Sequence, residues 1–201
     1  MSYYICVSGA AGGQTVDIAK EQALEVGREI AKAGHVLLTG ATIGLPNYAA
    51  IGCKEAGGMS IGISPAATKL EHVKKYRLPT EHYDFILYSG LHYVGRDALL
   101  VNSSDGVVSL GGRLGTLHEF TVAMETETPI GFLTGTGGVT EYINDLLDTA
   151  GRKLYQEVMF SDNAKDLVAK VVERLDEEHK DHPELHVMDL KDTIARINRK
   201  G

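Results

Sequence analysis

Three glycine-rich segments hold the residues of this chain best placed to do chemistry, and the chemistry they suggest is the grip of a phosphate. They are Ser8-Gly9-Ala10-Ala11-Gly12-Gly13, Thr39-Gly40-Ala41-Thr42-Ile43-Gly44 and Leu110-Gly111-Gly112-Arg113-Leu114-Gly115-Thr116. Glycine reaches positive φ without strain and lets an anion approach the backbone N–H groups closely. A helix start just beyond adds its positive end. Tight turns alone would explain one such loop; three, each following a predicted strand, point to one shared ligand site. Arg113, inside the third loop, has two open readings: contact with a second phosphate, or a solvated loop arginine.

Other glycine- or histidine-based chemistries fit poorly. The P-loop needs G-x-x-x-x-G-K-[ST], and neither segment 9–13 nor segment 111–116 supplies the lysine or the spacing. The dinucleotide fingerprint needs G-x-G-x-x-G and an acid ending the second strand. Here that strand ends in Leu38-Thr39, which argues against NAD. His179, His182 and His186 have the spacing of one helix face, but Pro183 interrupts such a helix. His118-Glu119 does not open an H-E-x-x-H motif, because position 122 is Val. No metal site and no resident cofactor are expected. A pyridoxal enzyme needs a Schiff-base lysine and a partner for the pyridine nitrogen, and no such constellation stands out.

Loops of this kind act together only if a scaffold brings them to one edge. Short apolar runs at 3–8, 35–39, 59–63, 85–88, 106–110, 130–133 and 157–160 predict seven strands. Between the first two, Ile18, Ala19, Ala23, Val26, Ile30 and Ala33 lie on one helical face, with Asp17 as N-cap and Gly34 as C′ glycine. Further helices are predicted at about 45–56, 95–102, 117–126, 140–150 and 163–178. Alternating strands and helices imply right-handed βαβ units. The expected fold is α/β: a Rossmann-like, doubly wound parallel sheet in a single domain over residues 1–180. The apolar run Gly106-Val107-Val108-Ser109-Leu110 reads as a central strand. Residues 181–201 read as a polar tail, either a peripheral helix or a partner arm. In open parallel sheets ligands bind beyond the carboxyl ends of the strands, where all three loops fall.

Composition narrows the function classes. The 201 residues are 43% hydrophobic and 23% charged, an ordinary globular balance. A net charge of −7 argues against a nucleic-acid partner, which needs a basic surface. No apolar run is long enough to span a bilayer, and the start of the sequence lacks the pattern of a signal peptide. Cys6 and Cys53 read as reduced, buried thiols of a cytoplasmic protein.

The segment Gly111-Gly112-Arg113-Leu114-Gly115-Thr116-Leu117-His118-Glu119 resembles the G-G-x-G-T-x-x-E motif of the LOG family, often misnamed lysine decarboxylases. It has one residue more between its glycine pairs. Gly95-Arg96-Asp97-Ala98-Leu99-Leu100 resembles that family's arginine-bearing helix start, Val7-Ser8-Gly9 its first loop, and residues 40–50 its second. The likeness covers roughly residues 3–178. It implies a Rossmann-like fold, a homodimer and a nucleoside 5′-monophosphate or related phosphorylated small molecule as ligand. In the enzymatic branch, a phosphoribohydrolase, the N-glycosidic bond is cut and base and ribose 5-phosphate are released. By position, Arg96 and Glu119 would be the catalytic pair. Gly111, Gly112, Gly115 and Thr116 would hold the phosphate, with Ser8, Gly9, Gly40, Gly44 and Arg113 as further ligand-binding residues. Leu110 stands where the family usually has proline, and Asp97 where lysine or asparagine is frequent. Related branches include molybdenum-cofactor carriers, so a non-catalytic carrier or sensor of a phosphorylated nucleotide or molybdenum-pterin cofactor is the alternative. In the implied homodimer, helices around Arg96 and 117–124 lie near the interface, with Val122, Ala123 and Met124 against the partner.

Two residues carry competing readings. Glu119, one turn into its predicted helix, is expected to be ionised by the helix end. A carboxylate there suits a base or a stabiliser of an oxocarbenium-like state. Thr116-Leu117-His118-Glu119 is also a capping box, which would commit Glu119 to the helix instead. Arg96, read as opening a helix, needs an anionic partner to offset the macrodipole: a ligand phosphate, Glu119, Asp97 or Asp105. Tyr88 and Tyr93 are read first as core aromatics, with stacking on a base as the other role. His92 and Asp105 are at most rim residues.

Overall fold

The structure is a computed structural model that describes residues 2–150 and 158–181. Seven parallel strands form one sheet: β1 (Tyr4–Gly9), β2 (Val36–Thr39), β3 (Met59–Ser64), β4 (Phe85–Tyr88), β5 (Gly106–Leu110), β6 (Ile130–Leu133) and β7 (Val158–Ser161). Their order is β4-β3-β2-β1-β5-β6-β7. The chain winds outward from β1 in one direction, then returns to lay β5 on β1's other side. This is the expected doubly wound, single-domain α/β fold, with its switch point between β1 and β5. β5 is buried along its whole length, as its apolar run predicts.

The strand pleat divides the core into two layers. Ile5 and Val7 point to a cluster with α1 (Gln14–Lys32), α2 (Leu45–Glu55) and α7 (Ala164–Asp181). Cys6, between them, points to the other cluster, with α4 (His92–Asn102), α5 (Leu114–Glu125) and α6 (Ile143–Ala150). A 3-10 turn over Gly138–Tyr142 precedes α6. Helices α1 and α2 press together closely: a methyl group on Gly27 would collide with the Ala49 carbonyl, and one on Gly52 with the Leu24 carbonyl. Among the described residues, no helix is long and apolar enough to cross a membrane.

Several boundaries differ from the sequence reading. α1 starts at Gln14 after Gly13, so Asp17 lies in its first turn and is not the N-cap; Gly34 follows the helix at positive φ as expected. α4 and α5 also begin three residues before their apolar patterns, at His92 and Leu114. The sequence reading missed α3 (Lys69–Lys74), which Thr68 caps by accepting from the Glu71 N–H at 3.1 Å. The expected tail over 181–201, with His182 and His186, lies outside the described residues after Asp181, as does the first residue of the strand read at 157–160.

Candidate functional site

The three glycine loops meet at the carboxyl edge of β1, β2 and β5, around a cleft of about 220 Å3. Gly9 and Ala11 line it from the first loop, Gly40 and Thr42 from the second, and Arg113, Gly115 and Thr116 from the third. Helices α1, α2 and α5 start at these loops, after Gly13, Gly44 and Arg113, and none has a side-chain cap. The first turn of α5 leaves N–H groups without intrahelical partners, a ready anion site; in α2, Leu45 N–H is bonded to the Ala10 carbonyl and Pro46 has no N–H.

The other expected site residues stand one layer behind. Ser8 donates its hydroxyl to Glu119 Oε2. Gly44 has φ 82°, and a side chain there would strike the backbone of Ala10 and Ala11. Gly111 N–H donates to Thr136 Oγ1 at 2.7 Å, and the Gly112 carbonyl accepts from Val139 N–H at 3.0 Å. The loop after β6 therefore braces the third glycine loop. Its signal was in the sequence, as a fourth glycine-rich run, Gly135-Thr136-Gly137-Gly138, following a strand.

Arg96 sits in the second turn of α4 and does not open a helix, because α4 begins at His92. Its guanidinium is buried against Gly40, where a methyl group would occupy the same space. Nη1 lies 3.6 Å from Glu119 Oε1 and Nη2 lies 3.3 Å from Asp97 Oδ1. Nε is a buried donor without a partner in the protein.

Glu119 is not a capping residue. Thr116 is the third residue of α5, so the pair cannot close a box at the helix start. Both carboxylate oxygens instead face protein groups, Arg96 and Ser8. At 7% exposure, desolvation dominates and raises its pKa to about 7. Arg96 opposes the rise, Asp97 adds to it and the Ser8 hydrogen bond lowers it. The ionised form expected from the helix end is thus overridden by burial, which penalises the charge more than a helix end rewards it.

Tyr93 and Asp97 complete the cleft, and the sequence reading gave neither a main role there. Tyr93 is 47% exposed, so it is not a core aromatic. Its ring meets Tyr76 edge-on, with centroids 5.6 Å apart and planes at 79°. Positions 93, 96 and 97 share one face of α4 at i, i+3 and i+4, a spacing that could have marked all three. Tyr88 is half-buried and packs edge-on against His72. His92 Nδ1 bonds the Tyr76 hydroxyl at 2.7 Å. Asp105 accepts from Tyr4 N–H, just before β5, at the opposite end of the sheet from the cleft. Arg113 is exposed at the third loop. Ala123 and Met124, expected against a partner, are buried in the chain's own core.

Residues 2–168 match the SLOG cluster4 family. The molybdenum cofactor binding protein of Rippkaea orientalis has a similar structure, with TM-score 0.72 and 26% identity over 86% of this chain and 97% of that one. The Moco carrier protein of Chlamydomonas reinhardtii gives TM-score 0.72 and 26% identity, covering 88% and 99%. An uncharacterized protein of Archaeoglobus fulgidus is 32% identical over 103 residues, 51% of this chain and 62% of that relative's length. The chain thus spans less than two thirds of that curated relative. These likenesses bear out the resemblance read from residues 111–119 at the level of the LOG/SLOG superfamily, and by the extent of the match the chain belongs to the SLOG cluster4 family.

Proposed function

We propose that the cleft binds a phosphorylated pterin-type ligand, of the kind found in molybdenum cofactor, and that the protein carries it without chemical change. The observation that carries this reading is the convergence of the three glycine loops, with the uncapped start of α5, on one cleft. Phosphate oxygens suit the free N–H groups there. The Arg96 guanidinium beside them has a buried Nε with no protein partner, and burying such a donor unpaired is costly. Glycine at positions 9, 40 and 44 lets Leu45 and Leu110, the Arg96 guanidinium and the Ala10-Ala11 backbone pack directly behind the loops. The carrier reading gains from Glu119, whose carboxylate accepts from Ser8 and faces Arg96 within the protein. It gains also from the molybdenum-cofactor proteins just described, which align over nearly their whole length.

The hydrolase reading keeps one specific support. A carboxyl with a pKa of about 7 is suited to general acid–base work at neutral pH, and Arg96 stands 3.6 Å away. The two are separated by incubating the protein with molybdenum cofactor released from a molybdoenzyme, and separately with AMP and other nucleoside monophosphates. Co-elution of intact cofactor with the protein, and no ribose 5-phosphate from any monophosphate, is the expected outcome. Base release that disappears in Glu119→Gln would overturn the carrier reading.

We also propose a homodimer that uses a face other than α5. Register pairs Ile61 with Phe85 and Ile63 with Leu87, so Phe85 and Leu87 lie on the α4 side of the sheet. Phe85 is 58% exposed and Val94 of α4 71% exposed. Exposed apolar side chains on an edge strand and on the helix that follows it suit an association surface.

A further inference from the structure

We propose that Tyr93 and Asp97 read the ring of the bound ligand, and that the ring they select carries a 2-amino-4-oxopyrimidine edge, the edge shared by guanine and the pterins. This inference rests on the reading of the cleft as a site for a phosphorylated ligand. It goes further by assigning the ring contacts to α4, while the anion contacts come from the loops before α1, α2 and α5.

Tyr93 is a large aromatic held half in solvent. Its orientation is fixed from behind, because Tyr76 packs edge-on against it and the Tyr76 hydroxyl is tied to His92 Nδ1. An aromatic face held open at a cleft wall is a stacking platform for a planar heterocycle. It accepts any such ring, so it supplies affinity without choosing among bases.

Asp97 supplies the choice. It lies one turn further along the same face of α4, is 6% exposed and lines the cleft. A carboxylate in a cleft built for an anion repels the ligand's phosphate unless it meets donors of its own. Its protein partners are Arg96 Nη2 at 3.3 Å and His118 Nδ1 at 3.2 Å. Both are longer than a charge-assisted N–H···O bond, usually about 2.7–2.9 Å. Two carboxylate oxygens offer about four acceptor sites, so capacity remains. A ring N–H beside an exocyclic amino group presents two parallel donors, the pattern a carboxylate takes from a guanidinium. Guanine and pterin both have that pair. Hypoxanthine keeps only the ring N–H, and adenine places a lone pair where the carboxylate needs a donor.

The test is a binding series by calorimetry with GMP, IMP, AMP, neopterin monophosphate and ribose 5-phosphate. Wild type is expected to bind GMP and neopterin monophosphate about 10- to 100-fold more tightly than AMP, the range of a charge-assisted hydrogen bond, with IMP between. Whichever of GMP and neopterin monophosphate binds more tightly identifies the source of the edge. Asp97→Asn should bring the GMP-to-AMP ratio close to one. Tyr93→Ala, at an exposed position that the fold tolerates, should weaken GMP and AMP alike by about tenfold, as for loss of one stacking contact. Equal binding of GMP and AMP by wild type overturns the inference even if Asp97→Asn fails to fold. A GMP preference that survives in folded Asp97→Asn overturns it as well. In either case, binding of ribose 5-phosphate leaves the phosphate site itself standing. Failure of every compound, ribose 5-phosphate included, removes both.

Discussion

At neutral pH the Glu119 carboxyl is about half protonated, because burial places its pKa at about 7 against an ordinary value of 4.5. Between those values the folded chain keeps a proton that the unfolded chain has released. Stability therefore falls as pH rises through that window, and the loss is complete above the folded pKa. Glutamine mimics the protonated form, so Glu119→Gln should be more stable than wild type above pH 7, by up to about 3 kcal/mol. The difference should vanish near pH 4.5. Urea denaturation of both proteins from pH 4.5 to pH 8 measures it, and a constant difference across that range would show that burial does not set this pKa. The position was legible in the sequence, through the run 111–119, while its surroundings were not. Thr116-x-x-Glu119 has the spelling of a capping box, and only the start of α5 at Leu114 shows that the box is not formed. Arg96 and Ser8, which the carboxylate meets instead, lie 23 and 111 residues away in sequence, and no local pattern joins them.

Strands are legible at the level of elements because each is a short apolar run, and the central β5 is buried along its whole length. Helix starts were read less well, and the errors share a cause. α1, α4 and α5 each begin three residues earlier than their apolar periodicity, at Gln14, His92 and Leu114. Those first turns sit at the sheet's carboxyl edge and bury no apolar stripe, so periodicity cannot register them. α2 was read correctly from Leu45 because that first residue is itself core. The short helix α3 was missed although Thr68-Lys69-Leu70-Glu71 spells a cap. Thr68 accepts from Glu71 N–H, and the Glu71 carboxylate accepts from Ala67 N–H at 2.8 Å. Thr68→Ala should therefore cost about 1 kcal/mol of stability, read by thermal or urea denaturation, with no change in ligand affinity. A loss of affinity would mean that α3 helps to hold the cleft, through Tyr76.

For the whole molecule, alternation of strands and helices was enough to give the doubly wound class, while the order of strands, and hence the bare outer face of β4, required the structure. The proposed homodimer follows from that face. Light scattering should give about twice 21.7 kDa for wild type, and Phe85→Lys combined with Val94→Asp should shift it to the monomer mass with the fold retained. A dimer that survives both changes would place the interface elsewhere. The close approach of α1 and α2 has a mechanical consequence. The start of α2 is tied to the loop that leads into α1, where Leu45 N–H is bonded to the Ala10 carbonyl at 2.9 Å. The separation of the helix shafts at Gly27 and Gly52 therefore gauges the gap between the tips, as the joint of a caliper sets its jaws. Gly52 lies about 10 Å along α2 from its start, at about 1.5 Å per residue. A single methyl group added there would pry the shafts apart and open the jaws without touching any ligand.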